Sequence, residues 1–336
     1  MLKTIVVPLD GSPLAERALS LATALSIPTA AHLVLVRVFA HDPPSVEATP
    51  LGTYLDKTAA DLRDRGFDVD TVELIGDPVA KAIGHAAEQQ QADLIVMTTH
   101  GRTGPARWLL GSVAEALVKC SPVPVLLHRA WDPGRRSILL GDQPGLLVTV
   151  DGSRFAEAAL PATLSLADDL GAKVLLVRVD PRSPDVLQAE EDAAASMSGQ
   201  AYQPLVATRE YLNELADRLR AEWPSIAINT RVECGDPATA IVAAAEDVQA
   251  ALVVMATHAR TGVQRMTLGS VADRVLQHGR APIVLVHPRH AELVDARRPQ
   301  CKLCAGGRDP AENAPQGGAP LEQPSDAVDA VLEDAL

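Results

Sequence analysis

Two segments of the chain carry the residue triplet Asp-Gly-Ser directly after an apolar run that is long enough for one strand. The triplets occupy residues 10–12 and 151–153. A carboxylate at the end of a strand can accept hydrogen bonds from a ribose or an adenine group, or approach a cation bound to phosphates, so Asp10 and Asp151 are candidate binding residues. The structural alternative is that each aspartate only forms the turn before a helix that the serine caps.

A second candidate region is the loop after the fourth apolar run. Gly101 is followed by nine residues and then by Gly111 and Ser112, where a helical pattern begins. Glycine has no Cβ, so the backbone there can approach a ligand closely, and a helix N-terminus offers free N–H groups and a positive dipole end to a phosphate. Arg102 and Arg107 can supply countercharge. The spacing therefore indicates a phosphate site.

The serine at this helix start also has a purely structural interpretation. Ser112 and Glu115 are three residues apart, which is the spacing of a capping box. In a capping box the serine bonds the N–H groups of its own helix, and no ligand is needed. The sequence leaves both interpretations open.

The chain carries none of the signatures of common hydrolases and phosphate-transfer enzymes. A P-loop, a Gly-x-Ser-x-Gly elbow and a His-Glu-x-x-His helix are all absent. His100 and His258 stand in the two loops and are candidate general bases, but a positioned histidine also satisfies a backbone group or lines a pocket. We therefore predict no catalytic residue and at most slow hydrolysis.

The elements that position these residues occur twice along the chain. The Asp-Gly-Ser triplet recurs after 141 residues, the Gly-Asp-Pro triplet at 76–78 recurs at 235–237, and the stretch THGRTG at 99–104 recurs as THARTG at 257–262. The later offsets are 159 and 158 residues, so the second copy carries an insertion at about residues 181–206. The common order of these matches predicts a tandem duplication.

Within each copy, runs of Val, Ile and Leu alternate with longer segments of helical period. The runs are apolar on nearly every residue, which is typical of a parallel sheet covered on both faces. We therefore predict the α/β class, with two tandem Rossmann-like domains, each an open, mostly parallel five-stranded sheet with helices on both faces. Strands of the first copy are predicted near residues 4–9, 32–39, 68–74, 93–98 and 123–128, and helices near residues 13–25, 53–65, 78–90 and 112–119.

Changes in composition predict where the domains end. We expect the first domain at residues 1–130, a linker rich in proline, glycine and charge at 131–143, and the second domain at 144–288. Residues 289–336 are rich in proline, glycine, alanine and acidic residues, which predicts an acidic and mostly disordered tail.

Charge and hydropathy exclude several classes of partner. The chain has 43 acidic against 30 basic side chains, and its formal charge of -13 repels nucleic acids and anionic membranes. No apolar run reaches the length of about 18 residues that a membrane span needs, and the N-terminus does not read as a signal peptide. Four cysteines do not make a disulfide framework, so we expect a cytoplasmic protein without nucleic-acid or membrane partners.

The cysteines are weak candidates for metal or redox chemistry. Cys301 and Cys304 make half of a zinc site, but the spacing to His287 and His290 matches no familiar zinc finger. We expect no metal site and no zinc here, and a reversible thiol pair is the alternative. Cys120, at the apolar end of a predicted helix, is expected to be buried.

Five motifs together resemble the universal stress protein family in its tandem two-domain form. They are VPLDGS at the first strand, the Gly-Asp-Pro turn, the IVMTTHGRTG loop, the LLGSVAEALV helix and the SPVPVLLH final strand. The resemblance covers both copies, about 270 residues. It implies an adenine nucleotide as ligand, ATP with or without Mg²⁺, and a role as a stress-response regulator.

The resemblance also implies which residues bind the nucleotide. In the first copy, Asp10 and Val38 hold the ribose and the adenine, and the remaining residues line the pocket or take the phosphates: Met97, Thr98, His100, Gly101, Gly111, Ser112 and Val113. The equivalents in the second copy are Asp151, Val179, Met255, His258, Gly269, Ser270 and Val271.

Both copies depart from the family pattern of Gly, two residues, Gly, nine residues, then Gly and Ser or Thr. Thr98 replaces the first glycine of the first copy, and Ala256 and Ala259 replace both early glycines of the second. The Cβ of Ala259 stands where the backbone approaches the ligand, so we expect the second copy to bind less well.

The resemblance implies, finally, that the two copies pack as a pseudo-twofold pair through their last strands. These strands, at residues 123–128 and 282–286, are apolar edges that invite pairing. A homodimer of two chains and a regulatory protein partner are further expectations. Two alternatives remain, a nucleotide-independent scaffold that acts through protein contacts and a slow ATP-hydrolysing or nucleotide-transferring enzyme.

Overall fold

A computed structural model of the chain describes residues 2–40, 53–99, 110–129, 141, 143–182, 204–257 and 269–287. All of these belong to one compact unit, Met1–Arg297. Most of the predicted linker, most of the predicted insertion and all of the predicted tail lie outside the described residues.

The first repeat alternates strands and helices as its apolar pattern predicts. Its elements are β1 (Thr4–Pro8), α1 (Pro13–Thr29), β2 (His32–Phe39), α2 (Thr53–Asp64), β3 (Val69–Ile75), α3 (Val79–Gln89), β4 (Leu94–Thr98), α4 (Ser112–Cys120) and β5 (Val125–His128). Every predicted strand and helix of this repeat is therefore present, with ends that move by a few residues.

The second repeat follows the same order. Its elements are β6 (Gly145–Thr149), α5 (Arg154–Glu157), α6 (Leu160–Asp169), β7 (Lys173–Asp180), α7 (Pro204–Glu222), β8 (Ile228–Cys234), α8 (Pro237–Asp247), β9 (Leu252–Ala256), α9 (Ser270–His278) and β10 (Ile283–Val286). Where the first repeat has the single helix α1, the second has α5 and α6. Pro161 lies in the first turn of α6, and proline lacks the N–H that would continue a helix from α5.

One sheet of ten strands runs through both repeats, in the order β3-β2-β1-β4-β5-β10-β9-β6-β7-β8. Neighbours within each repeat are parallel, whereas β5 and β10 pair antiparallel, with Leu126 opposite Val284. The predicted pairing of the last strands in a pseudo-twofold arrangement is confirmed. Arg129 adds a contact between the repeats, because its Nη1 donates to the Gln277 carbonyl at the end of α9 at 2.8 Å.

The two faces of the sheet bury two separate apolar clusters. On β2, Leu33 and Leu35 pack under α1 and α2, while Val34, Val36 and Val38 pack under α3 and α4. This alternation follows from the two-residue period of a strand. Each face of the sheet can therefore present different side chains at its carboxyl edge.

Two details differ from the predictions. Helix α1 continues past Leu25 to Thr29 and passes Pro28, because the Thr29 hydroxyl donates to the Leu25 carbonyl at 2.8 Å and the Ser26 hydroxyl donates to the Ala31 carbonyl at 2.6 Å. The prediction that Cys120 is buried is wrong. It is the last residue of α4, where the helix surface turns to solvent, and it is exposed.

Within the part of the chain that the structure describes, none of the helices combines the length and the apolar character needed to cross a bilayer.

Candidate functional site

The Asp-Gly-Ser triplets form the turns that lead from the first strand of each repeat into the next helix. Asp10 Oδ1 accepts from the Ser12 N–H at 2.9 Å, and Ser12 Oγ accepts from the Ala15 N–H at 3.2 Å. Gly11 has φ of +82°, a conformation that glycine adopts without strain. Residues 151–153 repeat this geometry, with distances of 2.9 and 3.1 Å and φ of +85° at the glycine. Both aspartates therefore form the turn, and the turn fixes the position of their carboxylates.

This point is the topological switch of each half of the sheet. β1 lies between β2 and β4, and β6 lies between β7 and β9. In open α/β sheets, ligands bind in the crevice outside the carboxyl ends of the strands at such a reversal of strand order. Asp10 and Asp151 lie two residues past the ends of β1 and β6, so the structure places both at the two crevices.

The predicted pocket residues of the first repeat gather at the same edge of the sheet. Val38 from β2, Met97 from β4 and Val113 from α4 all belong to the apolar cluster under α3 and α4. Thr98, the last residue of β4, is buried beside His128. In the second repeat, the equivalents Val179, Met255 and Val271 join the same cluster. His100, Gly101 and His258 lie outside the described residues.

Helix α4 starts without the capping box that the sequence allowed. Gly111 occupies the N-cap position and Ser112 is the first helical residue, so the serine is one position too late to cap, and within the described residues no side chain caps this helix. The Gly111 N–H donates to the Thr99 carbonyl at 2.8 Å, which ties the helix start to the end of β4. α9 repeats the arrangement, with Gly269 at the N-cap and Ser270 first in the helix.

An arginine behind each turn was missed by the sequence analysis. A Cβ built on Gly11 would lie 3.8 Å from Arg37 Nη2, and one built on Gly152 would lie 3.1 Å from Arg178 Nη1. Both arginines belong to the repeated segment LVRV, so the repeat itself was a usable signal. The sequence could not show that they reach the turns.

The strand next to Val179 carries charges that were also missed. Arg231 Nε lies 2.5 Å from Glu233 Oε1, and Arg231 Nη1 lies 2.6 Å from Asp247 Oδ2 on α8. Glu233 is the partner of Val179 in the β7–β8 register. The wall beside the second crevice is therefore an ion-pair network.

A second ion pair lies at the end of β7. Arg182 donates from Nε to Asp180 Oδ1 at 2.8 Å and from Nη2 to Oδ2 at 2.5 Å. These bonds hold the pKa of Asp180 below its ordinary value although burial opposes the shift. Burial raises the pKa of the Cys234 thiol at the end of β8, and the charge of Asp180 raises it further. Cys234 is therefore a protonated thiol at neutral pH and not a reactive thiolate.

Among the described residues, no three His, Cys, Asp or Glu side chains come together as a metal site. The weak zinc candidates Cys301 and Cys304 lie outside the described residues, so they are not tested by this finding.

Comparison with known proteins places this site in a family. The sequence profile of the universal stress protein family matches residues 1–129 and again residues 145–287. The chain belongs to the universal stress protein family. The two matched segments contain both Asp-Gly-Ser turns and both helix starts, so each crevice lies within a universal stress protein repeat.

Relatives with the same family name match different lengths of this chain. Universal stress protein Rv2005c of Mycobacterium tuberculosis is 28% identical over 233 residues, which cover 66% of this chain and 70% of the relative. Universal stress protein MJ0531 of Methanocaldococcus jannaschii is 30% identical over 141 residues, which cover 42% of this chain and 80% of the relative.

Two solved structures match the fold across both repeats. The functionally unknown protein PA1789 from Pseudomonas aeruginosa matches with a TM-score of 0.61 and 20% identity, covering 88% of this chain and 98% of that one. A universal stress protein from Archaeoglobus fulgidus matches with a TM-score of 0.61 and 20% identity, covering 85% of this chain and 98% of that one. These matches support the tandem universal stress protein fold.

Proposed function

We propose that the chain is a cytoplasmic universal stress protein that binds an adenine nucleotide, ATP as its Mg²⁺ complex, and acts as a stress-response regulator. The observation that carries the proposal is the start of α4. Gly111 is the N-cap, no described side chain caps the helix, and the helix start lies at the crevice that Asp10 borders. An uncapped helix N-terminus at a switch point suits a phosphate group.

The proposed nucleotide spans the first crevice from β2 to α4. Asp10 accepts from a ribose hydroxyl, because an ionised carboxylate is an acceptor only. Val38 contacts the adenine, and Gly111, Ser112 and Val113 take the phosphates through their N–H groups. A magnesium ion would enter the site bound to the phosphates. No described residue is placed as a general base.

The regulatory part of the proposal concerns the loop at residues 102–110, which joins the two glycines of the phosphate region. A bound triphosphate favours one arrangement of this loop, and the loop then presents a changed surface to a regulatory protein partner. The place of the loop in the sequence, between Gly101 and Gly111, and the family resemblance support this role. The partner is a protein, since the charge of -13 disfavours nucleic acid.

Calorimetric titration of the purified chain with Mg-ATP tests the proposal. We expect binding at micromolar concentration or tighter, about -8 kcal/mol, with Mg-GTP as the matched control that binds at least about tenfold more weakly. One site per chain assigns binding to the first repeat, and two sites include the second.

Two other results would contradict the proposal, and each favours a different function. Absence of binding at millimolar ATP favours the nucleotide-independent scaffold, which the replaced glycines at Thr98, Ala256 and Ala259 already make the main competitor. Sustained release of phosphate from bound ATP, measured on the same sample, favours the enzyme alternative.

A further inference from the structure

The arginine behind the first turn lies on the opposite face of the sheet from Val38. Val36 and Val38 pack under α3 and α4, and the alternation of β2 turns Arg37 toward α1 and α2. The ring of Tyr54 on α2 confirms this direction, because Arg37 Cζ lies 5.3 Å from its centroid. Arg37 therefore supports the turn from behind and does not line the nucleotide crevice.

Two aromatic rings lie against this guanidinium, and a glutamate from a third element bonds one of them. Arg37 Cζ lies 4.7 Å from the centroid of Phe39, which makes a second cation–π contact beside that of Tyr54. The Tyr54 hydroxyl donates to Glu16 Oε1 in the first turn of α1 at 2.9 Å. A stacked and hydrogen-bonded cluster of this kind restricts the planar guanidinium to one orientation.

The second repeat builds the same contacts between arginine, tyrosine and glutamate, with Asp180 in the place of Phe39. Arg178 Cζ lies 4.9 Å from the centroid of Tyr211, whose hydroxyl donates to Glu157 Oε1 at 2.9 Å. Arg218 adds a bond to Glu157 Oε2 at 2.9 Å. The chain contains 3 tyrosines, so two of its three tyrosines occupy this one position. The second repeat keeps these contacts although Arg231 and Glu233 stand on its neighbouring strand in the places of Val72 and Leu74.

Electrostatics connect each cluster to its aspartate turn. Burial raises the pKa of Tyr54 far above its usual value, the hydrogen bond to Glu16 raises it further, and the charges of Glu16 and Asp10 add to the shift. The pKa of Tyr211 is raised in the same way by burial, by Glu157 and by the charge of Asp151. Each tyrosine is therefore a permanent donor to its glutamate, and each aspartate lies within electrostatic range of its cluster.

We propose that Arg37, Tyr54 and Glu16 are positioning residues that hold the turn at Asp10 and Gly11 so that the Asp10 carboxylate accepts from the 2′-hydroxyl of the nucleotide ribose. Arg178, Tyr211 and Glu157 hold Asp151 in the same way. This inference rests on the proposed nucleotide function and deepens it, because it assigns the discrimination between ribose and deoxyribose to a cluster that does not touch the ligand.

The test compares ATP with 2′-deoxy-ATP in a Gly269→Val background, so that only the first repeat binds. The variants are Arg37→Gln, Arg37→Lys and Tyr54→Phe, with Arg63→Gln as the matched control. Arg63 belongs to α2 and is more exposed than Arg37. It donates to the Val69 carbonyl at the start of β3, far from the turn along the strand. Thermal unfolding of every variant establishes that it is folded.

We expect Arg37→Gln to lower the affinity for ATP by about tenfold, the size of one hydrogen bond to a charged group, and to leave the affinity for 2′-deoxy-ATP within about twofold. The preference for ATP over 2′-deoxy-ATP then disappears. Arg37→Lys should retain part of the preference for ATP, because lysine keeps the positive charge. Tyr54→Phe should lose only part of this preference, because phenylalanine keeps the ring but not the hydroxyl that bonds Glu16. Arg63→Gln should change neither affinity.

Equal losses for ATP and 2′-deoxy-ATP would mean that the cluster only supports the fold, and an unchanged ratio in Arg37→Gln would mean that the turn needs no support. Either result overturns the inference while the proposed function stands. If the background protein binds neither nucleotide, the proposed function fails first and the inference fails with it.

Discussion

The two repeats share their turns and helix starts but differ in the strand beside each crevice. In the first repeat, Val72 and Leu74 of β3 pack into the cluster under α3 and α4. In the second, Arg231 and Glu233 of β8 occupy these places and form an ion-pair network with Asp247. An apolar wall packs well against the face of a purine. An ion pair remains hydrated, and its water competes with the purine for the same surface. The two repeats therefore share the geometry of the aspartate turn and of the helix start, whereas the strand beside the crevice has changed from apolar to charged.

The helices around each crevice differ as well. Asp236 caps α8 and accepts two bonds from Arg274 of α9, at 2.7 and 2.8 Å, so the two helices of the second repeat are fastened together. In the first repeat Pro78 is the N-cap of α3 and no described side chain caps that helix. An ion pair to α9 therefore holds the start of α8 in the second repeat, whereas apolar packing holds the start of α3 in the first.

The largest change in ATP affinity is expected from a side chain placed at the start of α4 and not at the start of α9. Gly111→Val puts a branched side chain at the N-cap of α4, where the phosphates are proposed to bind, and should lower ATP affinity by about a hundredfold, because several charge-assisted bonds are lost together. The backbone at Gly111 has φ of -59°, which valine adopts without strain, so the fold should persist. Calorimetry measures the affinity.

The matched control is Gly269→Val at the start of α9. We expect it to leave the tight site unchanged, because that site belongs to the first repeat. If the two variants have equal effects, the repeats are equivalent sites and the difference between their walls has no consequence for ATP.

The second effect concerns the early glycine that only the first repeat keeps. Ala259→Gly should raise the affinity of the second repeat by about tenfold, or about 1.4 kcal/mol, because removing the Cβ lets the backbone approach the ligand. Gly101→Ala should lower the affinity of the first repeat by a similar factor. Titration in Gly111→Val and Gly269→Val backgrounds, respectively, isolates each repeat. Affinities that do not move would show that this position does not approach the ligand.

The sequence predicted the fold well because the apolar runs and the repeat are local signals. The strands β2 and β4 follow from such runs. The pairing of the last strands, β5 and β10, was implied by the family resemblance, and its antiparallel direction was not predicted. The sequence missed the cluster around Arg37, because its members Glu16 and Tyr54 are separated along the chain and meet only when α1 and α2 pack on the same face of the sheet over β2. It also left the role of Ser112 undecided, since spacing cannot tell an N-cap from the first helical residue.

A third and smaller effect is expected from exchanging the walls. Leu74→Glu puts a carboxylate beside Val38 with no arginine to compensate it, and should weaken ATP binding by roughly fivefold, because a charge at a partly buried apolar wall disfavours the purine face. The reciprocal double variant, Arg231→Val with Glu233→Leu, should strengthen binding in the second repeat by a similar factor. Equilibrium titration of both proteins measures the two changes.

The single variants of the second repeat serve as controls for this exchange. Glu233→Leu alone leaves Arg231 paired with Asp247, so it should raise the ATP affinity of the second repeat by less than the double variant does. If the double variant binds ATP no better than the parent second repeat, the wall lies outside the base subsite and the glycine positions alone explain the difference between the repeats.

The smallest effect is expected from the ion pair that fastens the second repeat. Hydrogen bonds from Arg274 and Thr239 hold the pKa of Asp236 well below its usual range. A carboxyl group whose pKa is depressed in the folded state stabilises the fold above its unfolded pKa, near 4, and loses that contribution as the pH falls through the depressed value. Asp236→Asn should therefore lower Tm modestly at pH 7, and the difference from the parent should shrink below about pH 4.

Asp77→Asn in the corresponding turn of the first repeat is the matched control, and it should lower Tm less at pH 7 because Asp77 is not the N-cap of its helix. Because the Asp236 pair is exposed, solvent screening keeps its contribution small, and raising the salt concentration should narrow the difference further. A Tm difference for Asp236→Asn that is independent of both pH and salt would mean that the charge of Asp236, and with it the ion pair to Arg274, does not stabilise the fold. The contrast between the repeats would then lie in their walls alone.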